Sequence, residues 1–496
     1  MKKLWIYTLV CLILSSCTVG PDYHTPMPQT QKNWSTSQDA QTATANSHIN
    51  LTWWKTFNDP LLNRYISEAV TCNIDIQVAQ ARIRQARAAQ RMDIANFYPQ
   101  VNGTASVQSE QLSKEGDILG FFSNLPFVVN NIQRDQIIYN IGFDAQWEID
   151  IFGKNRRTVE SDRATIEQNI ENRRKVLLST ISEIARDYIQ LRGYQYQLSV
   201  ARKNVDLQKR TLKIARHRYR VGTINEVDVK MTEAQLKNLE ATLPNYIAEI
   251  RSNAYQISVL LGKEPQAILK DVLLARKLPT YPRKVPIGLR SDVLRQRPDI
   301  REAERQLASA VAEVGVAIAD FFPQFTLAGN ASFQSVKPYR LFVNSNIAWL
   351  FGPSVSWPIF NAGQVSANVE QKRAIAQQYA LQYKQTILNA LQESESALVR
   401  YGQSIETENR YKKAVATNQI ALRLNQERYE YGEDDIVSVI TSEQSLMNAE
   451  TSFAQSRTTT LINLISLYKA LGGGWEPFEI KPCVKACSRP QPHRAV

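Results

Sequence analysis

The segment YNIGFDAQWEID, residues 139–150, alternates apolar and polar residues without a break. Its apolar positions are Tyr139, Ile141, Phe143, Ala145, Trp147 and Ile149. Strict alternation of this kind is the pattern of a β-strand with two unlike faces. About 9–11 residues is also the length that a tilted strand needs to cross a bilayer. The segment therefore predicts a membrane-crossing strand, although a half-buried sheet of a soluble protein alternates in the same way.

Three further segments alternate similarly, at about 101–108, 324–333 and 348–359. Aromatic residues lie on their apolar faces, several of them near strand ends, where a membrane interface would place them. Four strands in two hairpins favour a membrane barrel. They cannot close one, because the smallest membrane barrels have about eight strands and an open sheet edge is not viable in lipid. We therefore expect several copies of the chain to share one barrel.

The chain is internally duplicated. Residues 73–100 and 297–324 align without a gap and are identical at ten of 28 positions. Two later motifs recur with an offset of 210 residues, namely Arg218-Tyr219-x-x-Gly222 as Arg428-Tyr429-x-x-Gly432, and Leu261-Gly262 as Leu471-Gly472. Two copies of a long unit that mixes helix and strand indicate a pseudo-symmetric molecule.

Long polar helices are predicted between the strands. Residues 154–220 contain no proline and only one glycine, Gly193, and their apolar residues keep the 4-3 spacing of a narrow stripe. A partner helix is expected at about 226–261, with a possible kink at Pro244, and the second half repeats the pair at roughly 364–431 and 436–471. Such helices suit a free coiled coil or the wall of a water-filled cylinder, and the strands favour the cylinder.

The N-terminus has the features of a lipoprotein signal. Lys2 and Lys3 precede an apolar run, Leu4 to Leu14, that is too short for a stable membrane span. The run ends in Leu14-Ser15-Ser16-Cys17, which predicts cleavage before Cys17 and lipid attachment to its sulfur; the alternative is a plain cleavage site with a chance cysteine. Thr18 rather than aspartate follows, which resembles sorting to the outer membrane.

Composition argues against several other classes of protein. The formal charge is +12, but basic residues are interleaved with Glu and Asp and form no cluster with aromatics, which disfavours nucleic-acid binding. No phosphate loop, nucleophile elbow or metal-ligand spacing is visible, so we expect no enzyme, no metal and no cofactor apart from the lipid on Cys17. Cys483 and Cys487 could form a disulfide or remain free.

Four motifs distributed over nearly the whole mature chain carry a resemblance to a known family. They are Val19-Gly20-Pro21-Asp22-Tyr23; Trp53-Trp54-x-x-Phe57-x-Asp59-Pro60-x-Leu62; Arg297-Pro298-Asp299-Ile300-Arg301-x-Ala303-Glu304 followed by Phe321-Phe322-Pro323; and Trp357-Pro358-Ile359-Phe360-Asn361-Ala362-Gly363. Together they resemble the TolC-like outer-membrane efflux factors, in particular the lipoprotein (NodT-type, OprM-like) branch.

The resemblance implies a mixed α and β membrane protein without chemistry of its own. Each chain of a homotrimer would give four transmembrane β-strands to a 12-stranded barrel, continued by a long α-helical barrel in the periplasm. The trimer would be the exit duct of a tripartite efflux system for drugs or other small toxic compounds. Its partners would be a periplasmic adaptor protein and an inner-membrane pump, with acylation favouring the resistance-nodulation-division type.

Three alternatives to this function remain open. The duct could serve type I protein secretion or metal efflux. From the residues alone, the chain could also be a lipid-anchored periplasmic scaffold that has no pore.

The predicted organisation has six parts. They are a lipoprotein signal peptide at 1–16, an N-terminal lipid-anchored segment at 17–57, a first repeat at 58–262, an equatorial connecting segment at 263–296, a second repeat at 297–472 and a C-terminal tail at 473–496. Each repeat would hold a helix, a β-hairpin and a long helical hairpin.

The tips of the two helical hairpins are the predicted sites. The resemblance assigns adaptor docking to two matching sets, Arg218, Tyr219 and Gly222 in the first tip and Arg428, Tyr429 and Gly432 in the second. Each glycine permits a tight turn, and arginine and tyrosine are common at interfaces. Helix capping with a turn is the alternative explanation.

An acidic periplasmic gate is predicted at Glu433, Asp434 and Asp435, with Asp434 at the family's matching position. Three copies would bring like charges together, which would favour cations and raise the pKa of some carboxyls. The alternative is acidic residues stabilised at a helix N-terminus. The first tip has Thr223-Ile224-Asn225-Glu226 instead, so any gate is asymmetric. A hydrophobic loop around Phe121-Phe122 could cover the barrel mouth.

Overall fold

The computed structural model describes residues 18–26, 44–45, 50–111, 113, 135–274, 277–282, 285–287, 290 and 295–479. The predictions for Cys17, for the Phe121-Phe122 loop and for Cys483 and Cys487 lie outside these residues. Helices dominate, namely α1 Pro60–Cys72, α2 Ile74–Ala95, α3 Lys154–Arg220, α4 Glu226–Leu260, α5 Leu269–Val272, α6 Pro298–Ala319, α7 Gln364–Glu430 and α8 Ile436–Leu471. The strands are β1 Thr44–Ala45, β2 Gln100–Gln111, β3 Asp135–Ile149, β4 Val285–Pro286, β5 Gln324–Ser335 and β6 Ile347–Ser356.

The chain forms two compact units, and each draws on both halves of the duplication. Unit 1 comprises residues 1–26, 84–167 and 305–381, and unit 2 comprises 27–83, 168–304 and 382–496. Among the described residues, no helix is both long and apolar enough to cross a membrane.

Unit 1 contains the four predicted strands in one antiparallel sheet of order β2-β3-β5-β6. The two hairpins join through β3 and β5, where Phe143 lies opposite Ala331. β6 ends at Ser356, three residues before the predicted end at 359. The early end follows from the partner strand, because Ser356 lies opposite Gln324, the first residue of β5.

No residue of these four strands is buried. Large apolar side chains remain open, including Val101 (64% exposed), Phe143 (68%) and Trp349 (75%). In a soluble protein, one face of a half-buried sheet packs on a core. Among the described residues, no core buries the side chains on either face of this sheet. The outer edges of β2 and β6 also have no partner strand among the described residues.

The duplication extends to individual hydrogen bonds at the foot of the sheet. The indole Nε1 of Trp147 donates to the carbonyl of Phe97 at 2.9 Å, and that of Trp357 donates to the carbonyl of Phe321 at 3.0 Å. Phe97 and Phe321 are equivalent in the repeat, and the tryptophans are 210 residues apart. Each half therefore ties a tryptophan after its hairpin to the turn before it.

Unit 2 has a core built on the Trp53-Trp54 motif. The Trp53 ring stacks on Tyr468 with centroids 5.3 Å apart, and its Nε1 donates to the carbonyl of Gly473 at 3.2 Å. Asp59 caps α1 by accepting from the amide of Leu61 at 2.9 Å, and it also accepts from the Tyr188 hydroxyl at 2.5 Å. These motif residues therefore hold the N-terminal part of unit 2 against α3 and α8.

The Arg297-Pro298-Asp299 motif has a comparable structural role. Arg297 is buried, and it donates to the carbonyl of Ala470 at 2.9 Å near the C-terminal end of α8. Its guanidinium also pairs with Asp299 and Glu393, each at 2.7 Å. The arginine and the Ser394 hydroxyl thus both donate to a carbonyl at a helix end, where a cation is favoured.

Candidate functional site at the helical hairpin tips

Both hairpins turn in unit 2 through the same backbone motif. In the first tip, the amide of Thr223 donates to the carbonyl of Arg218 at 2.9 Å, and the amide of Gly222 donates to that of Tyr219 at 3.0 Å. This pair of bonds is a Schellman motif, which satisfies the last carbonyls of α3. Asn225 then starts α4 with a capping box that it shares with Asp228.

The second tip repeats the geometry. The amide of Glu433 donates to the carbonyl of Arg428 at 2.9 Å, and that of Gly432 donates to the carbonyl of Tyr429 at 3.1 Å. Gly222 and Gly432 both have φ of +78°, and an added Cβ at either would meet nothing within 4 Å. These glycines are therefore required by the left-handed backbone and not by close packing.

The two Arg-Tyr pairs, identical in sequence, are used differently. The Cζ of Arg218 lies 3.8 Å from the ring centroid of Tyr429, and its Nη2 donates to the Tyr429 carbonyl at 3.0 Å. Tyr429 is 5% exposed, and burial raises the pKa of its hydroxyl. The first arginine and the second tyrosine therefore join the two tips of one chain through a cation–π contact.

The other members of the two pairs face solvent. The Tyr219 residue is 45% exposed, and the side chain of Arg428 is 57% exposed. The sequence assigned one docking role to all of these residues. Tyr219 and Arg428 are thus more exposed than Arg218 and Tyr429, and the docking role of the whole set, with the exposed Gly222 and Gly432, stays a prediction.

Asp434 is held at the start of α8 within its own chain. Its Oδ1 accepts from the Ser438 hydroxyl at 2.9 Å and from the Asp435 amide at 2.9 Å, while Arg428 lies 3.6 Å from its Oδ2. The Ser438 hydrogen bond, followed by those other contacts, lowers the pKa of the Asp434 carboxyl. Asp435 caps the helix by accepting from the Ser438 amide at 3.1 Å. The raised pKa expected from like charges would need three copies and stays a prediction.

The tips also differ in charge, a feature that the motifs alone do not reveal. Residues 209–240 carry eight Lys and Arg against four Asp and Glu, whereas the equivalent residues 419–450 carry two against seven. In the first tip, a groove of about 590 Å³ is lined by Lys209, Lys213, Arg216, Arg220 and Tyr219, among others. Counting charges over the repeat would have revealed the difference. Among the described residues, no group of three His, Cys, Asp or Glu is arranged to hold a metal ion.

The family follows from comparison with known proteins. The family model described as "Outer membrane efflux protein" matches residues 65–263 and 289–473. The chain therefore belongs to the outer membrane efflux protein family, whose members are transport channels and not enzymes. It is located in the outer membrane and extends into the periplasm.

Curated relatives are similar over nearly their full length. Nodulation protein T of Rhizobium leguminosarum bv. viciae is 29% identical over 464 residues, 94% of this chain and 92% of its own. The cation efflux system protein CusC of Escherichia coli is 30% identical over 473 residues, 94% and 98% of the two chains. The toluene efflux pump outer membrane protein TtgC of Pseudomonas putida is 28% identical over 482 residues, 96% of each.

Solved structures share the fold. The outer-membrane channel OprN is 32% identical, with a TM-score of 0.85 over 93% of this chain and 100% of its own. The open state of the Neisseria gonorrhoeae MtrE channel is 26% identical, with a TM-score of 0.80 over 92% and 99% of the two chains. The TolC-like resemblance inferred from the motifs is confirmed.

Proposed function

We propose that three copies of this chain form the exit duct of a tripartite efflux system. Each copy gives β2, β3, β5 and β6 to a 12-stranded barrel, and the long helices continue it as a helical barrel. The duct receives drugs or other small toxic compounds from an inner-membrane pump of the resistance-nodulation-division type, through a periplasmic adaptor. Acyl chains on Cys17 anchor each copy to the membrane.

The observation that carries this proposal is the uncovered sheet of unit 1. Many of its large apolar residues are exposed and none is buried, and its edge strands β2 and β6 have no partner among the described residues. Unpaired edges are too costly in lipid. Joining the β6 edge of one copy to the β2 edge of the next removes every edge, and three copies supply enough strands to close.

The hairpin tips support a gated end that meets the adaptor. The exposed Tyr219 and Arg428 are available to a partner, and a Cβ added at Gly222 or Gly432 would meet nothing within 4 Å. Glu433, Asp434 and Asp435 supply the carboxylates of the gate. Three such groups around an axis would favour cations and resist full ionisation.

The names of the relatives favour two kinds of cargo, since TtgC is named for toluene efflux and CusC for cation efflux. We propose small organic compounds, with metal ions as the second candidate. Expression in a host that lacks its own duct, together with each type of pump and adaptor, separates them. Restored resistance to organic compounds with the drug pump supports the first, and restored resistance to metal cations alone supports the second.

Planar-bilayer conductance of the purified oligomer tests the duct itself. We expect a small cation-selective current that grows in the double variant Asp434→Ser/Asp435→Ser. A large wild-type current unchanged in the variant would keep the pore and reject the acidic gate. No current from a folded oligomer of either form would favour the pore-free scaffold.

A further inference from the structure

A buried arginine on α3 holds the segment that begins directly after Cys17. The segment, Thr18–Tyr23, lies in unit 1 together with Arg157, whose side chain is only 4% exposed. The Arg157 Nε donates to the carbonyl of Val19 at 3.1 Å, and its Nη2 donates to the carbonyl of Gly20 at 3.3 Å and to Asp22 at 2.8 Å. Three acceptors of its guanidinium therefore belong to this segment, and a fourth is Glu160.

The segment is also fitted closely to its surroundings. The amide of Val19 donates to the carbonyl of Phe152 at 3.2 Å, just beyond the end of β3. An added Cβ on Gly153 would lie 2.8 Å from Thr18 Cγ2, and one on Gly20 would lie 2.5 Å from the Cα of Gly315 in α6. Contacts this close leave no room for a shifted register of the segment.

We propose that Arg157 is a positioning residue that docks Thr18–Tyr23 at the foot of the sheet, so that an acyl anchor on the preceding residue enters the membrane beside the end of β3. The anchor itself rests on the acylation of Cys17 proposed above. The docking does not, because every contact that carries it lies within residues 18–23 and unit 1.

The hydrogen bonds from the buried Arg157 to the backbone carbonyls, and not its ion pair with Asp22, contribute most to fixing the segment. The side chain of Asp22 is 79% exposed, so solvent screens its attraction to Arg157. The Arg157 guanidinium, in contrast, is desolvated, and losing the segment would leave buried N–H groups without acceptors. Charge-assisted bonds to the carbonyls of Val19 and Gly20 are therefore the main restraint.

Tyr23 gives the segment a further contact, with a second arginine of unit 1. Its ring lies 5.8 Å from the Cζ of Arg305, which pairs with Glu167 at 2.9 Å. The segment is thus fixed near both ends, at Val19 and at Tyr23. This arrangement fits a segment that carries tension between a membrane anchor and the folded body.

Two variants remove the docking by different physical routes. Arg157→Gln removes the charge and the fork of donors. Gly315→Ala leaves the charge but adds a Cβ 2.9 Å from the Arg157 Cδ, and because alanine favours helix over glycine by about 1 kcal/mol, α6 itself is not weakened. Arg163→Gln is the matched control, since its side chain is 78% exposed and pairs with Glu167 in the next turn.

Hydrogen–deuterium exchange at the Val19 amide, in the full oligomer, is the measurement. We expect exchange at least about tenfold faster in Arg157→Gln and Gly315→Ala, with β3 amides unchanged. Arg163→Gln should match the wild type, and Asp22→Asn should change the rate by less than about threefold, since its ion pair is screened. Unchanged Val19 protection in both test variants would overturn the proposal, as would an equal loss of protection in β3.

The mass of the N-terminal peptide separates this inference from the proposed function. A peptide without acyl mass together with a protected Val19 amide rejects the lipid anchor and retains the docking by Arg157. An acylated peptide whose Val19 amide exchanges equally fast in all variants rejects the docking and retains the anchor.

Discussion

Asp162 on α3 sits among carboxyls in unit 1. Burial, followed by the neighbouring Asp93 and Glu313, raises the pKa of Asp162 to about 6. Because its pKa in the folded state lies above the ordinary 3.8, folding favours the protonated form. The stabilising contribution is thus complete below about pH 3.8 and is lost as the pH rises through about 6.

We therefore expect Asp162→Asn to raise the free energy of unfolding at pH 7.5 by about 1 kcal/mol, after allowance for partial exposure. The gain should vanish near pH 4. Thermal unfolding of the purified protein at both values checks this. Glu370→Gln is the control, because it removes the same charge from an exposed position of unit 1. Equal gains at both pH values would contradict the explanation.

The contact of Arg218 with Tyr429 predicts a second effect at single residues. Because this contact joins the two tips of one chain at the proposed gated end, Arg218→Ala and Tyr429→Ala should each raise bilayer conductance by about two- to fivefold. A cation–π contact made by a partly exposed arginine is worth about 0.5–1 kcal/mol. The double variant should raise conductance no more than either single variant, because both substitutions remove the same contact. Tyr219→Ala, the duplicate of Tyr429, is the control and should leave conductance unchanged. Additive effects would show that the two residues act separately.

The difference between the two Arg-Tyr pairs lies beyond sequence reasoning. Both copies read Arg-Tyr-x-x-Gly, and only the packing of one tip on the other decides which tyrosine is covered. The turn itself was predictable, because glycine four residues after the arginine is a recognised way to end a helix. The roles of Arg297 and Arg157 were not, since the backbone carbonyls that they bind are more than a hundred residues away in sequence.

At the level of elements, the open turns at Gly222 and Gly432 predict how docking can be blocked. An arginine at either position costs roughly 1–2 kcal/mol for the left-handed backbone, and its side chain would point into solvent. We expect Gly222→Arg and Gly432→Arg to reduce co-purification of the adaptor by about tenfold or more, the equivalent of about 1.4 kcal/mol. Oligomer yield should not change.

Gly222→Asn and Gly432→Asn provide the matched controls. Asparagine tolerates the left-handed conformation and has a short side chain, so adaptor binding should stay near the wild-type amount. Undiminished binding in the arginine variants would show that the tips do not dock the adaptor. Equal losses in the asparagine variants would point to the turn's conformation as the cause.

The sequence predicted the bounds of the long helices and the positions of the strands, but it did not predict the surroundings of the strands. The bounds predicted for α3, 154–220, agree with the structure because proline and glycine are nearly absent until Gly222. Alternation located all four strands. It could not tell whether a face meets lipid or a protein core, because both require the same spacing. Exposure in the folded chain favours the proposed barrel, because none of the strand residues is buried.

For the whole molecule, closure of the sheet between copies predicts a specific pattern of crosslinks. Cysteines placed on β2 and β6, such as Ser106→Cys combined in turn with substitutions along 348–355, should crosslink separate chains into a trimer at one register. Asn140→Cys with Gln334→Cys is the control, because these positions are partners in β3 and β5 of one chain. Their disulfide should form only within a chain.

Denaturing gels without reductant measure the outcome. Closure between copies would be contradicted if no β2–β6 cysteine pair gave a band larger than the monomer. The β3–β5 control must form its disulfide in the same experiment. Dimers without trimers would favour a different assembly.

The uncovered sheet has a consequence for biogenesis. A newly exported chain must cross an aqueous compartment before it reaches other copies and lipid, and on the way it would expose Phe143 and Trp349 together with two free strand edges. Such surfaces aggregate when chains are crowded. The chain therefore has to stay unfolded in this region, or be escorted by a chaperone, until assembly and insertion coincide. In a cell that overproduces the protein, the yield of folded channel should therefore be limited by aggregation at this step. The stability of the assembled channel should not be the limiting factor.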